Sequence, residues 1–313
     1  YGDHRDLHRL IRRQRQMCIR DRYSEVIFLV NESSKSRLER RCNSVFKGRK
    51  ISFVPYEISS EFSFFVQDAM EIVNQNRKPV IILPKHYYGR LNLSLETALL
   101  QNGFKVKRAE IAFSGGNITY DHFRWKDILF VGENDINMNL KFYPEYSKEH
   151  ILELFKKDFN VDTVVVIGPQ NEEIMFHLNQ TFMIIGPGEV VLYDVPCAYR
   201  KSIPEEVSQG LKNARTVFEG LEYTVHLLPL DVKDLLEGRF YLCGIPFTDK
   251  QKKEKRVILP LFPEPGLRFS IASEKNKEVR KFFIERDIYP ISVNDYLFYT
   301  KSGGLHCITI VYG

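Results

Sequence analysis

Short runs rich in Val, Ile, Phe and Tyr alternate with amphipathic stretches from residue 23 to the end of the chain. β-branched and aromatic residues in a short run suit a buried strand, whereas apolar residues three and four apart put one apolar stripe on a helix. Strands are expected at Glu25 to Val30, Pro79 to Leu83, Asp162 to Ile167, Thr181 to Ile185, Val190 to Tyr193, Val257 to Leu261 and Tyr296 to Thr300. A helix is expected after Pro204, a favoured first-turn residue, with Val207, Leu211, Ala214 and Phe218 along one stripe. Two more are expected around Ser147 to Phe155 and Asn276 to Ile284. The alternation implies an α/β or mixed class, and no Pro/Gly/Ser-rich linker divides it, so residues 23 to 313 read as one domain. Gly186-Pro187-Gly188 between two apolar runs predicts a tight hairpin, while Asp249 to Arg256 reads as a solvated charged loop in preference to a phosphate site.

Charge excludes one class of partner. The net charge is +5, but residues 1 to 22 hold seven Arg against three Asp, a balance of +4, which leaves +1 for the rest. That basic tail lacks apolar periodicity, resembles translated adapter sequence, and is expected to be non-native or disordered. With a nearly neutral body, nucleic acid is not an expected partner. No apolar run reaches the roughly 18 residues of a membrane helix and no secretory signal is visible, so no membrane partner and a cytoplasmic location are expected. The five cysteines, at 18, 42, 197, 243 and 307, form no CxxC pair and have no His at zinc-finger spacing. Neither a disulfide framework nor a bound metal is expected.

Chemistry concentrates near the C-terminus. In Tyr296-Leu-Phe-Tyr-Thr-Lys-Ser-Gly-Gly-Leu-His-Cys-Ile-Thr-Ile a strand runs into a glycine turn from which His306 and Cys307 emerge, a setting that lets backbone approach a ligand and presents a thiol at an edge. Taken by itself, the spacing leaves Cys307 either structural or nucleophilic. Gly-Gly-x-His-Cys-x-Thr resembles the nucleophile motif of agmatine deiminases. Phe64-Phe-Val-Gln-Asp-Ala-Met-Glu-Ile resembles the segment in which those deiminases hold a substrate guanidinium, Phe176-His-Leu-Asn-Gln-Thr-Phe resembles their His-x-Asp motif, and Phe113-Ser-Gly-Gly-Asn-Ile resembles their Gly-Gly-Asn element. In joint order these segments are similar to the guanidine-modifying, or pentein, superfamily of peptidylarginine deiminases, agmatine deiminases and amidinotransferases.

The resemblance implies a five-bladed pseudo-symmetric α/β propeller and a hydrolase of guanidine or amidine groups that needs no cofactor. It implies Cys307 as nucleophile, His177 as the imidazole, and Asp68, Asn179, Gly116 and Asn117 around a small or peptidyl guanidine substrate. A guanidinium is a resonance-stabilised planar cation, so acids must orient it and a thiolate must attack it. His306 is given no catalytic role, and self-association into a homo-oligomer is left open. Two residues depart from the family pattern. Asn179 stands where a second carboxylate is usual, and Ser114 stands where bacterial relatives place an acid. Glu172 and Glu173 lie close enough to compensate, though on a strand only one could share the face of His177. An amidinotransferase using the same Cys, or a binding member impaired by Asn179, are the alternative readings.

Overall fold

The computed structural model describes residues 26–30, 35–36, 39, 51–55, 66–75, 78–86, 93–171, 174–195, 202–229, 231–236, 238–249, 254–262 and 274–294. Among these, five small sheets follow one another along the chain. In the first, β1 (Val26–Val30) and β2 (Ile51–Pro55) pair in parallel. The other four repeat one plan: an antiparallel hairpin, a helical crossover, and a third strand that returns parallel to the second.

In the second sheet a helical turn, α1 (Val66–Ala69), leads into β3 (Glu71–Gln75) and β4 (Lys78–Leu83), and α2 (Leu93–Gln101) crosses to β5 (Val106–Arg108). The third comprises β6 (Ile118–Phe123), β7 (Lys126–Gly132), helices α3 (Glu133–Phe142) and α4 (Lys148–Phe159), and β8 (Thr163–Ile167). The fourth is built from β9 (Phe182–Gly186), β10 (Glu189–Asp194), α5 (Glu205–Gly220) and β11 (Thr224–Pro229). After α6 (Val232–Leu236) come β12 (Ile245–Asp249), β13 (Glu254–Leu261), α7 (Glu274–Ile284) and β14 (Ile288–Asn294).

The middle strand of each module explains why these runs are apolar throughout. Side chains alternate across a strand. On β7, Leu129 and Val131 enter a core with Val80 and Ile82 of β4, whereas Ile128 and Phe130 enter a different core with Val190 and Leu192 of β10. On β10 the opposite residues, Val191 and Tyr193, pack with Val257 and Leu259 of β13. Ile81 and Leu83 on the other face of β4 meet Val54 of β2. β4, β7 and β10 are therefore covered on both faces, which favours a continuous apolar run over a polar alternation. The modules stack in chain order through four separate cores.

The expected strands that fall on described residues are present with ends shifted by a few positions, and Tyr296 to Thr300 lies outside those residues. β9 and β10 form the predicted hairpin about Gly186-Pro187-Gly188, with Gly188 at φ +72. Val207, Leu211, Ala214 and Phe218 are buried along α5. Ser147 caps α4 by accepting the His150 N–H at 3.2 Å, and Asn160 ends that helix in the left-handed region. The ends of the charged segment Asp249 to Arg256 lie in strands, and residues 250–253 are outside the described residues. Asp249 pairs with Glu254 and Thr248 with Lys255 across β12 and β13, and Lys255 Nζ reaches Glu189 Oε1 at 2.5 Å. A hairpin tolerates such charge because one face of antiparallel strands can meet water.

Candidate active site

Three short segments from different modules converge where α1, the turn Gly115–Asn117 and the turn Leu178–Gln180 meet. Asp68 belongs to the α1 helical turn and is 4% exposed. His177 stands in extended backbone just before Leu178–Gln180 and is 3% exposed. Its backbone N–H is fixed by the Gln180 side chain, which accepts it at 3.0 Å. His177 Nδ1 lies 3.7 Å from Asp68 Oδ1, although 109 residues separate the two in the sequence.

Ser114 joins this pair. Its Oγ donates to Asp68 Oδ1 at 3.2 Å and lies 3.0 Å from His177 Nε2. With the hydroxyl hydrogen given to Asp68, Oγ is an acceptor toward Nε2, so both ring nitrogens face acceptors. That arrangement suits an imidazolium able to give up a proton. The turn itself must be glycine at 116, because a Cβ there would sit 2.5 Å from His177 Nδ1 and 2.9 Å from Asp68 Oδ1.

Asn117 ties the two turns together. Its Oδ1 accepts the Leu178 N–H at 3.2 Å and the Gln170 amide at 2.7 Å, and its Nδ2 donates to Asp135 Oδ1 at 3.1 Å. Gly132 leaves room for this knot, since a Cβ would lie 2.7 Å from Asn117 Oδ1. Asp135, in the first turn of α3, also accepts the Ser114 N–H at 3.0 Å. Burial pushes its carboxyl up to about 7, opposed by those two donors and by His177.

Asn179 is buried in the second turn and brings no charge. The thiol of Cys243, also buried, donates to Asn179 O at 3.4 Å and faces Asn179 Oδ1 at 3.9 Å. Cys307, His306, Glu172 and Glu173 lie outside the described residues. Asp68, Gly116, Asn117 and His177 are thus brought together, with Asn179 in the same turn as His177. Asp135, Gln170 and Cys243 have no place in those motifs, and Ser114 enters them only as a departure. A faint signal for Asp135 exists in Gly132-Glu-Asn-Asp-Ile, where an acid occupies the first turn of a helix and shares a face with Asn139. Among the described residues, no cluster of three or more His, Cys, Asp or Glu could hold a metal ion, and no helix is long and apolar enough to cross a membrane.

A family model described as Porphyromonas-type peptidyl-arginine deiminase matches residues 22–312. Among curated protein sequences there is no match. Several solved structures share the fold. A C. jejuni agmatine deiminase is 12% identical, with a TM-score of 0.63 over 97% of this chain and 85% of that one. An Enterococcus faecalis agmatine deiminase is 17% identical, with a TM-score of 0.60 over 91% and 81% of the two chains. A cyanobacterial arginine dihydrolase is 14% identical, with a TM-score of 0.55 over 91% of this chain and 38% of that protein.

Proposed function

The chain belongs to the Porphyromonas-type peptidyl-arginine deiminase family, a group of guanidine-modifying C–N hydrolases within the pentein superfamily, and on that premise we propose that it deiminates a small or peptidyl guanidine through a covalent Cys307 intermediate. The observation that carries this reading is the buried Asp68–His177 pair at 3.7 Å over Gly116. A carboxylate that can hold a cation and an imidazole that can move a proton are the two partners a thiolate needs to open a guanidinium.

The steps follow from those roles. Asp68 accepts guanidinium N–H groups and offsets their charge. The Cys307 thiolate adds to the central carbon and breaks one C=N π bond. His177 donates a proton to the departing nitrogen, the C–N bond breaks, and ammonia or an amine leaves a thiouronium on Cys307. Water, giving a proton back to His177, adds to the same carbon. The C–S bond then breaks as the new hydroxyl loses its proton to water and forms C=O, which releases a ureido product and restores the thiolate. Asn179 can accept one hydrogen bond but adds no charge, so Asp68 carries most of the hold among the mapped residues.

The four stacked sheet pairings through separate cores are what a ring of modules requires, and closing the fifth onto the first would complete a five-bladed propeller around this site. Residues 23–313 are read as its one domain.

Agmatine, arginine, methylated arginine and an arginyl peptide are the substrates to offer, with ammonia or amine release and ureido product as readouts. Turnover of at least one is expected, and Cys307→Ala should abolish it; turnover that persists in that variant would eliminate the covalent mechanism. Adding an amine acceptor separates deiminase from amidinotransferase by product. The neutral, buried Asn179 favours one second reading, a binding member without turnover. A substrate-dependent Cys307 adduct in mass spectrometry would count against that one.

A further inference from the structure

Asp135 is a buried acid beside the site that the chemistry above leaves unused. It is 2% exposed and stands behind the turn that carries Gly116. One oxygen takes the Ser114 N–H and the other the Asn117 amide, so a single carboxyl grips both ends of Gly115–Asn117. Each gripped residue holds a further part of the site. Ser114 Oγ touches Asp68 and His177, and Asn117 Oδ1 takes the N–H of Leu178, between His177 and Asn179.

The chemistry of position 135 matters because a carboxylate only accepts. It forces Asn117 to point its amide nitrogen inward and its oxygen toward Leu178. An amide at 135 would accept one of the two donors and present hydrogens of its own to the other. The charged groups acting on Asp135 from other elements are Asp68 on α1 and His177 beside the second turn, while Glu133 shares its helix. The α3 N-terminus favours its anion and burial disfavours it.

We infer that Asp135 is a positioning residue that serves as the second negative charge of the substrate pocket, holding the Ser114–Asn117 turn against His177 and supplying the field that Asn179 does not. This rests on the guanidine-binding reading. Because burial pushes its carboxyl up to about 7, the charge appears as pH rises through neutrality, and guanidinium binding should tighten over the same interval.

Two measurements test it, one free of substrate. In an NMR titration of the full chain, the His177 midpoint should fall by about one pH unit in Asp135→Asn, the scale on which a nearby opposite charge acts. An unmoved midpoint overturns the inference whatever happens with substrate. Calorimetry of agmatine with Cys307→Ser protein is the second. Adding Asp135→Asn should weaken binding about tenfold at high pH, the scale of one charge acting across a protein interior, and further adding Asn179→Asp should restore it. Weakening that Asn179→Asp leaves unrescued reduces Asp135 to a structural part and overturns the charge role. If Asp135→Asn does not fold, Asn179→Asp in the Cys307→Ser protein still decides. It should help agmatine binding more below neutrality than above, and an equal gain at both overturns the inference. Should agmatine, arginine and an arginyl peptide fail to bind any variant while the His177 midpoint moves as expected, the guanidine reading falls and the hold of Asp135 on His177 stands.

Discussion

Gly116 is where the site has no spare volume. A methyl group there would lie 2.5 Å from His177 Nδ1, 2.8 Å from its Cγ and 2.9 Å from Asp68 Oδ1. The ring cannot swing away freely, since Ser114 Oγ meets Nε2 at 3.0 Å and Gln180 fixes the backbone N–H at 3.0 Å. Restoring an ordinary contact of 3.4 Å moves the ring by about 0.9 Å. A misplacement of about 1 Å in a catalytic group costs about 100-fold. Gly116→Ala should therefore lower kcat/KM by about 100-fold, equivalent to about 2.7 kcal/mol of transition-state stabilisation. Overpacking should take a further share from fold stability, on the order of 1–3 kcal/mol. Initial rates of ammonia release over a range of guanidine concentrations give the first quantity, and urea unfolding gives the second. Gly220→Ala is the matched control, because the same methyl at the end of α5 meets nothing within 4 Å; its kcat/KM should equal that of the parent. A Gly116→Ala enzyme with unchanged kcat/KM would refute the claim that His177 and Asp68 work in the positions described.

Two further expectations concern the fold. Phe130 is fully buried, with ring centroids 4.8 Å from Phe218, 5.9 Å from Tyr223 and 6.0 Å from Phe182, so it fills the core between the third and fourth modules. Phe130→Ala should cost about 3–5 kcal/mol in urea unfolding, and a loss below about 1 kcal/mol would show that the two modules do not depend on this core. Asp121 carries a pH signature. Burial pushes its carboxyl up from 3.8 to about 6, against the backbone N–H donors of Gly188 and His122. Since the folded value is the higher one, its stabilising contribution is complete below 3.8 and is lost as pH rises through about 6. The parent should lose up to about 3 kcal/mol across that interval, and Asp121→Asn should flatten the slope; an unchanged slope in the variant would assign it to another group.

The parts of the fold written in the sequence are those decided locally. β4, β8, β9 and β10 declare themselves because strands packed between neighbouring modules consist of apolar residues on both faces. The α5 stripe is legible for the same reason at helical spacing. The edge strands β5 and β11 are harder. β5 is half-buried along its length and β11 mixes exposed with buried positions, so neither leaves a clean pattern. The ends of charged Asp249 to Arg256 mislead, because pairing between β12 and β13 outweighs the preference of their side chains for a loop.

The candidate site divides in the same way. Residue identities at 68, 116, 117 and 177 can be read from short motifs, as can the absence of a charge at 179. Which neighbours complete them cannot. Ser114 reaches Asp68 across 46 positions and His177 across 63, and Asp135 reaches Ser114 across 21. Those meetings are created by the stacking of whole modules, and stacking is set by cores such as the one around Phe130 that contain none of the site residues. A sequence can specify a serine or a buried aspartate without showing what either will touch. Only the packed arrangement turned Ser114 into the link between acid and imidazole and put the Asp135 carboxyl behind them both.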